Sequence, residues 1–258
     1  MSLGRIEDYD KKLPIVEIYT AVQSEGSRQG YPTVVIRTTG CTHRCWFGEG
    51  GWCDSWYTSI HPEKGKFNFK DIIKKYDENP HIKEMMLTGG SPTMHGKLVN
   101  ELTHFANERG IFITIENEGS HFLPTDYPID LLSISPKFSN SIPHIGVETP
   151  EGKIVDQKMI NQHNKFRLNV DAIKKSIAYH KDFHIKPVMD KKFSIYGEFL
   201  KLQQEVGFPD DKVWVMPAGD TREALFETYP VVMDWVRDKG YRFTGRAHIM
   251  AFNDQREV

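Results

Sequence analysis

Short apolar runs rich in β-branched residues recur along the first half of the chain, with stretches of helical period between them. Ile15-Val16-Glu17-Ile18-Tyr19-Thr20 alternates apart from Val16 and predicts a strand, followed by a polar turn over Ala21 to Gly26. Thr33 to Thr38 is nearly continuous in β-branched residues, as a buried strand is, and carries Arg37 close to its end. Further strands are predicted at Glu84–Thr88, Ile111–Glu116 and Ile129–Ile134, the first running into Gly89-Gly90-Ser91-Pro92 and the last into Ser135-Pro136-Lys137. A helix over Phe69 to Tyr76 is closed by Asn79-Pro80. Another, Lys97 to Glu108, sets Leu98, Leu102 and Phe105 on one face and stops at Gly110.

The second half continues the alternation: a helix at Asn169–His180, a strand at His184–Val188, a helix at Ser194–Glu205 and a strand at Lys212–Met216. A last long helix, Thr221 to Lys239, should be interrupted near Pro230. Residues at about 138–163 are polar, with Pro143, Pro150 and several glycines, and predict a long loop or insertion. Strands alternating with helices predict an α/β fold with a parallel sheet, and the leading architecture is a partial (β/α) barrel formed by residues 1–258 as a single domain. Arg37, Thr88-Gly89-Gly90, Glu116 and Ser135-Pro136-Lys137 all follow or end strands, so they should converge on the mouth where parallel α/β folds bind ligands.

Charge narrows the partners. Lys and Arg number 33 against 35 Asp and Glu, a formal net charge of -2, which leaves no basic footprint for nucleic acid. No apolar run approaches the length needed to cross a bilayer, and Met1 to Lys12 is too polar for a secretory signal. The expectation is a cytoplasmic protein with reduced thiols.

The chemistry concentrates in one stretch. All three cysteines lie within it, at Cys41, Cys45 and Cys53. An odd, clustered set makes a poor disulfide framework and a good metal site. Three thiolates can hold an iron–sulfur cluster and leave one iron open to a small molecule. Zinc with His43 as the fourth ligand is the alternative, although Cys41-x-His43-x-Cys45 is more crowded than the usual zinc pairing. A zinc-stabilised binding module without catalysis therefore stays open on the cysteines alone.

Cys41-x3-Cys45-x7-Cys53 resembles the C-x3-C-x2-C signature of radical S-adenosylmethionine (SAM) enzymes, with five added residues before the third cysteine, about Phe47 to Gly51. Gly89-Gly90-Ser91-Pro92 resembles their Gly-Gly-Glu-Pro motif. More narrowly, Glu17-Ile18-Tyr19, Gln23-Ser24-Glu25-Gly26, Gly30-Tyr31-Pro32, Arg37, Gly40-Cys41 and Cys53-Asp54-Ser55 are similar, in order and spacing, to the 7-carboxy-7-deazaguanine synthase family. Thr88-Gly89-Gly90, Glu116 with Gly119-Ser120, and Ser135-Pro136-Lys137 continue the match. The chain departs from the family at Ser24 for glycine, Ser55 for threonine and Ser91 for glutamate. The last change removes a carboxylate from beside the methionyl ammonium, and predicts either weaker cofactor binding compensated elsewhere or a divergent variant of the family.

The resemblance implies a lyase that cleaves SAM reductively at a [4Fe-4S] cluster, abstracts hydrogen from 6-carboxy-5,6,7,8-tetrahydropterin and contracts its ring to 7-carboxy-7-deazaguanine. It implies that Cys41, Cys45 and Cys53 hold the cluster, and that Ser55 ligates Mg²⁺. Trp52, Asp54, Gly89, Gly90, Glu116, Ser135, Lys137, Lys186 and Met189 would meet SAM. Val22, Gln23, Ser24, Glu25, Arg37, Thr88 and His248 would meet the pterin, with Arg37 taking its carboxylate. A homodimer and an electron donor such as flavodoxin are implied as well. A glycyl-radical activase shares the compact cysteine motif, but Gln23, Glu25 and Arg37 argue for the pterin. Each residue also has a plainer reading: Arg37 as a surface ion pair, Glu25-Gly26 as a turn, Glu116 as a strand end, Ser135 and Lys137 as props of Pro136, Lys186 as a structural turn, and His248 as a packed surface histidine.

Overall fold

The computed structural model describes residues 3–48, 51–253 and 255–257. Met1 and Ser2 of the polar N-terminus, and Glu49 and Gly50 of the expanded cysteine loop, lie outside the described residues.

Strand β1 (Ile15–Val22) pairs antiparallel with β2 (Pro32–Thr38), a correction to the all-parallel expectation. The connection between them is too short for a crossover helix, so the chain turns back as a hairpin. Ala21 and Val22, expected in the turn, belong to β1. After the cysteine loop come a short helix α1 (Trp56–Ser59) and α2 (Phe69–Glu78). Asn68 and Asp71 cap α2 reciprocally, each side chain accepting from the other's backbone N–H. Then β3 (Glu84–Gly89), α3 (Gly96–Arg109), β4 (Phe112–Asn117) and β5 (Leu131–Ile134) follow in turn.

The expected loop at about 138–163 is not wholly irregular. Helix α4 (Gln157–Phe166) occupies its end, started by Asp156, whose carboxylate accepts from Met159 N at 2.8 Å. Its sequence is polar nearly all round, which hid the helical period; Met159 and His163 are its buried residues. Helix α5 (Val170–Tyr179) leads to β6 (Phe183–Ile185) and β7 (Val188–Met189). These two replace the single expected strand, because Pro187 between them has no N–H to give a ladder. Helix α6 (Tyr196–Val206), β8 (Trp214–Pro217), α7 (Arg222–Lys239), β9 (Arg242–Phe243) and α8 (Ala247–Phe252) complete the chain. Contrary to expectation α7 runs unbroken through Pro230, which is exposed, so the carbonyl it leaves unbonded can be met by water.

The main sheet has the order β1-β2-β3-β4-β5-β6, parallel from β2 onward; β7-β8-β9 is a second parallel sheet, linked to the first by a bridge between Ile185 and Val213. Among the described residues no pairing closes β9 onto β1. Strand parity then sorts the side chains. Val34, Ile36, Met85, Leu87, Ile113, Ile115, Leu132, Ile134 and Ile185 join the hydrophobic cluster with Phe69, Leu102, Ile173 and Phe199 from the helices. Residues of opposite parity (Arg37, Thr88, Glu116, Ser133 and His184) fall on the other face, a polar row across the sheet. None of the described helices is long and apolar enough to cross a membrane.

Candidate active site

The cysteine loop is held to the end of β3 by backbone contacts. Gly90 N donates to Thr38 O at 3.2 Å, Ser91 N to Gly40 O at 2.8 Å, and Gly40 N to Thr58 O at 2.7 Å. Neither Gly89 nor Gly90 has room for a side chain. A Cβ on Gly89 would meet the Thr38 backbone, and one on Gly90 the carbonyls of Gly40 and Thr58. Glycine is required for this close approach.

The segment after β5 braces the loop from its far side. Trp46 N donates to Ser141 O at 3.0 Å, Trp52 Nε1 to Glu148 O at 2.9 Å, and Arg44 N to His163 Nδ1 at 3.0 Å. Trp46 and Trp52 pair across the loop as a single antiparallel bridge.

The three thiols are free, and Cys41 and Cys45 each feel the charge of Cys53. Burial pushes Cys41 and Cys45 far above the usual thiol range, and the Glu118 carboxylate adds to both. Burial and Asp54 push Cys53 up to about 11. The Lys137 ammonium pulls Cys45 and Cys53 back down. Ionising three clustered thiols, one buried and two partly so, needs a strongly positive centre, which fits an iron–sulfur cluster. His43 is buried, edge-on to His163, with Nε2 3.4 Å from Ser120 Oγ, and burial lowers it to about 3. Among the described residues no three His, Cys, Asp or Glu side chains are grouped round one metal ion.

From Asp54, next to Cys53, a chain of alternating charges crosses the polar face. Asp54 Oδ2 accepts from Arg246 Nη2 at 2.7 Å, Arg246 Nε donates to Glu25 Oε1 at 3.1 Å, and Lys186 Nζ donates to Glu25 Oε2 at 2.6 Å and Glu116 Oε2 at 2.8 Å. Ser133 Oγ completes Glu116 at 2.8 Å, and His184 Nε2 lies 2.7 Å from Ser133 Oγ. Burial alone would raise the Glu25 carboxyl, but Lys186, Arg246 and His248 hold it well below the usual carboxylate range. Burial would likewise discharge Lys186, and Glu116 and Glu25 keep it charged. Asp54 sits on the rim, half exposed, and against the burial that would raise it Arg246 holds it down at about 2.

Toward the hairpin side, Arg37 Nε donates to Glu17 Oε2 at 2.6 Å, while its other nitrogens make only long contacts, to Tyr19 OH at 3.3 Å and Ser55 Oγ at 3.4 Å. Ser55 Oγ in turn lies 3.2 Å from Asp54 Oδ1. The Arg256 guanidinium also pairs with Glu17.

Thus the structure brings together Glu25, Arg37, Asp54, Ser55, Glu116 and Lys186, with His248 Nε2 4.0 Å from Glu25. Lys137 Nζ reaches Ser135 Oγ at 3.3 Å, and Ser135 Oγ reaches Lys186 O at 3.2 Å. Thr88 stands beside Arg37 in register. Gln23 goes elsewhere: it is buried and donates to Glu84 Oε2 at 3.3 Å. Ser24 turns onto Val22 O at 2.8 Å, and Val22 is exposed. Met189 is fully buried in the hydrophobic core. Sequence reasoning passed over Arg246, which carries no local signal, and Glu118, whose place two residues after Glu116 at a strand end was a readable hint.

Comparison with known proteins bears on this arrangement. A profile of the Radical SAM superfamily matches residues 35–197. A 7-carboxy-7-deazaguanine synthase of Halobacterium salinarum is 33% identical over 252 residues, 95% of this chain and 93% of its own. Another, from Rhodopirellula baltica, is 28% identical over 247 residues, 96% and 89% of the two chains. The crystal structure of QueE from Escherichia coli shares the fold at a TM-score of 0.57 and 18% identity, over 91% of this chain and 93% of that one.

Proposed function

The chain belongs to the radical SAM superfamily and, within it, to the 7-carboxy-7-deazaguanine synthase family, and on that footing we propose that it converts 6-carboxy-5,6,7,8-tetrahydropterin to 7-carboxy-7-deazaguanine. The observation that carries the substrate reading is the Lys186 bridge between Glu25 and Glu116, which joins the hairpin residues to the strand ends beside the cysteine loop. When bound, the [4Fe-4S] cluster and SAM supply hydrogen-atom abstraction under reducing conditions.

The protein's own residues bind and orient. Cys41, Cys45 and Cys53 would hold the cluster, and Gly89 and Gly90 would expose backbone to the methionyl part of SAM. Arg37 keeps Glu17 as an anchor and turns its loosely held nitrogens to the substrate carboxylate, since contacts of 3.3 and 3.4 Å are weak enough to exchange. Glu25, held ionised, accepts from the amino and amide edge of the pterin, with Thr88 and His248 adding polar contacts. Glu116, Ser135, Lys137 and Lys186 line the SAM side with Trp52 and Asp54, while Met189 belongs to the hydrophobic core. Ser55 with Asp54 offers hard oxygen donors for Mg²⁺. A homodimer accords with exposed Phe226 and Met233, seven positions apart on one face of α7. The reading includes a flavodoxin-like electron donor, and its cytoplasmic setting accords with the free thiols.

Anaerobic reconstitution with iron and sulfide, then incubation with reductant, SAM and 6-carboxytetrahydropterin, tests this reading. The expected result is a brown protein and 7-carboxy-7-deazaguanine by mass spectrometry. Cleavage of SAM without that product rejects the substrate and leaves the superfamily chemistry standing.

A further inference from the structure

Glu118 lies just beyond β4, is 5% exposed, and has one carboxylate oxygen engaged: Ser91 Oγ donates to its Oε1 at 2.7 Å. Its Oε2 is buried and has no hydrogen-bond partner among the described residues. A half-paired carboxylate in a dry site is costly, so a partner is expected from something that binds there. Ser91, which holds Glu118, also donates its backbone N–H to Gly40 O at 2.8 Å, so Glu118 stands near the cysteine loop. Position 91, where the motif this chain resembles carries glutamate, is the serine that holds it.

We propose that Glu118 supplies, from the end of the neighbouring strand, the carboxylate that position 91 lacks, and that its free oxygen receives the α-ammonium of SAM. Strands β3 and β4 are adjacent and parallel, so their ends deliver Ser91 and Glu118 to the same spot. A short serine at 91 leaves space for the glutamate and orients it through one hydrogen bond. A cation of matching size satisfies Oε2 without introducing an unpaired charge. The proposal rests on the SAM reading above.

The test is equilibrium binding to the anaerobically reconstituted protein, with iron content and cluster absorbance measured alongside. Glu118→Gln should weaken SAM at least about tenfold while binding of the deaminated analogue, which lacks the α-amino group, stays unchanged. The double variant Ser91→Glu/Glu118→Ser, which returns the carboxylate to position 91, should recover most of the SAM affinity. Equal weakening for SAM and the deaminated analogue, or loss of iron in Glu118→Gln, assigns Glu118 a structural role and overturns the proposal. Unchanged SAM affinity overturns it as well. Wild-type protein that holds its cluster but binds no SAM overturns both this inference and the reading beneath it.

Discussion

The Lys186 ammonium lies 2.8 Å from Glu116 Oε2 although strand β5 separates β6 from β4. Two strand spacings are about 10 Å, a span that the lysine and glutamate side chains cover only by reaching toward each other across the sheet. Lys186 is 2% exposed and also pairs with Glu25, so one cation neutralises two carboxylates from distant parts of the chain. Lys186→Met leaves the pair uncompensated and should cost about 3–5 kcal/mol in denaturant unfolding. A loss below about 1 kcal/mol would mean that water or Arg246 takes over the neutralisation.

Arg246 ties the C-terminal segment to the site through three acceptors, Glu25, Asp54 and the Gly219 carbonyl. Arg246→Ala should raise the Kd for the pterin and speed proteolytic cleavage in α8, with the cluster absorbance retained. Arg246→Lys should fall between, because one ammonium cannot reproduce a fork to three acceptors. Identical proteolysis of the variant and the parent protein would count against Arg246 as the tie between the C-terminal segment and the site.

Gly90 should tolerate no side chain, since the neighbours of an added Cβ are backbone carbonyls that cannot rotate away. Gly90→Ala is expected to lower iron incorporation sharply on reconstitution. Gly110→Ala, at φ 62 with nothing near its Cβ, should cost only about 1–2 kcal/mol and leave iron content alone. Equal iron content in the two variants would contradict this packing argument.

Burial, with the nearby Lys186 charge, holds His184 neutral down to about 3, against 6.5 when unfolded. The unfolded chain therefore binds the extra proton first. The contribution to stability is complete above pH 6.5 and drains away as pH falls from 6.5 toward 3, at up to about 1.4 kcal/mol per pH unit. His180, lowered to about 4 by burial, acts in the same window. Urea unfolding at pH 7, 6 and 5 should show a shallower slope for His184→Gln than for the parent protein; parallel lines would refute the assignment.

Much of the fold was legible because parity and period are local properties. Ile36 against Arg37, and Ile115 against Glu116, fall on opposite sheet faces from sequence alone, and the caps at Asn68, Asn169 and Thr221 lie immediately before the helices they start. What misled was local too. The polar surface of α4 masked its period, and Pro230 signals a break that solvent exposure makes unnecessary.

The sequence by itself determined the cysteine spacing, the glycine pair at 89 and 90, and the order of strand-end polar residues, all written within a few positions of one another. Only the tertiary structure decided which charges meet. Glu25 and Lys186 stand 161 positions apart, Asp54 and Arg246 192, and nothing in the residues near any of them specifies the partner. Sheet order and the return of the C-terminal segment bring them together. The low dielectric of the interior then makes those pairings, and the one left open at Glu118, count energetically.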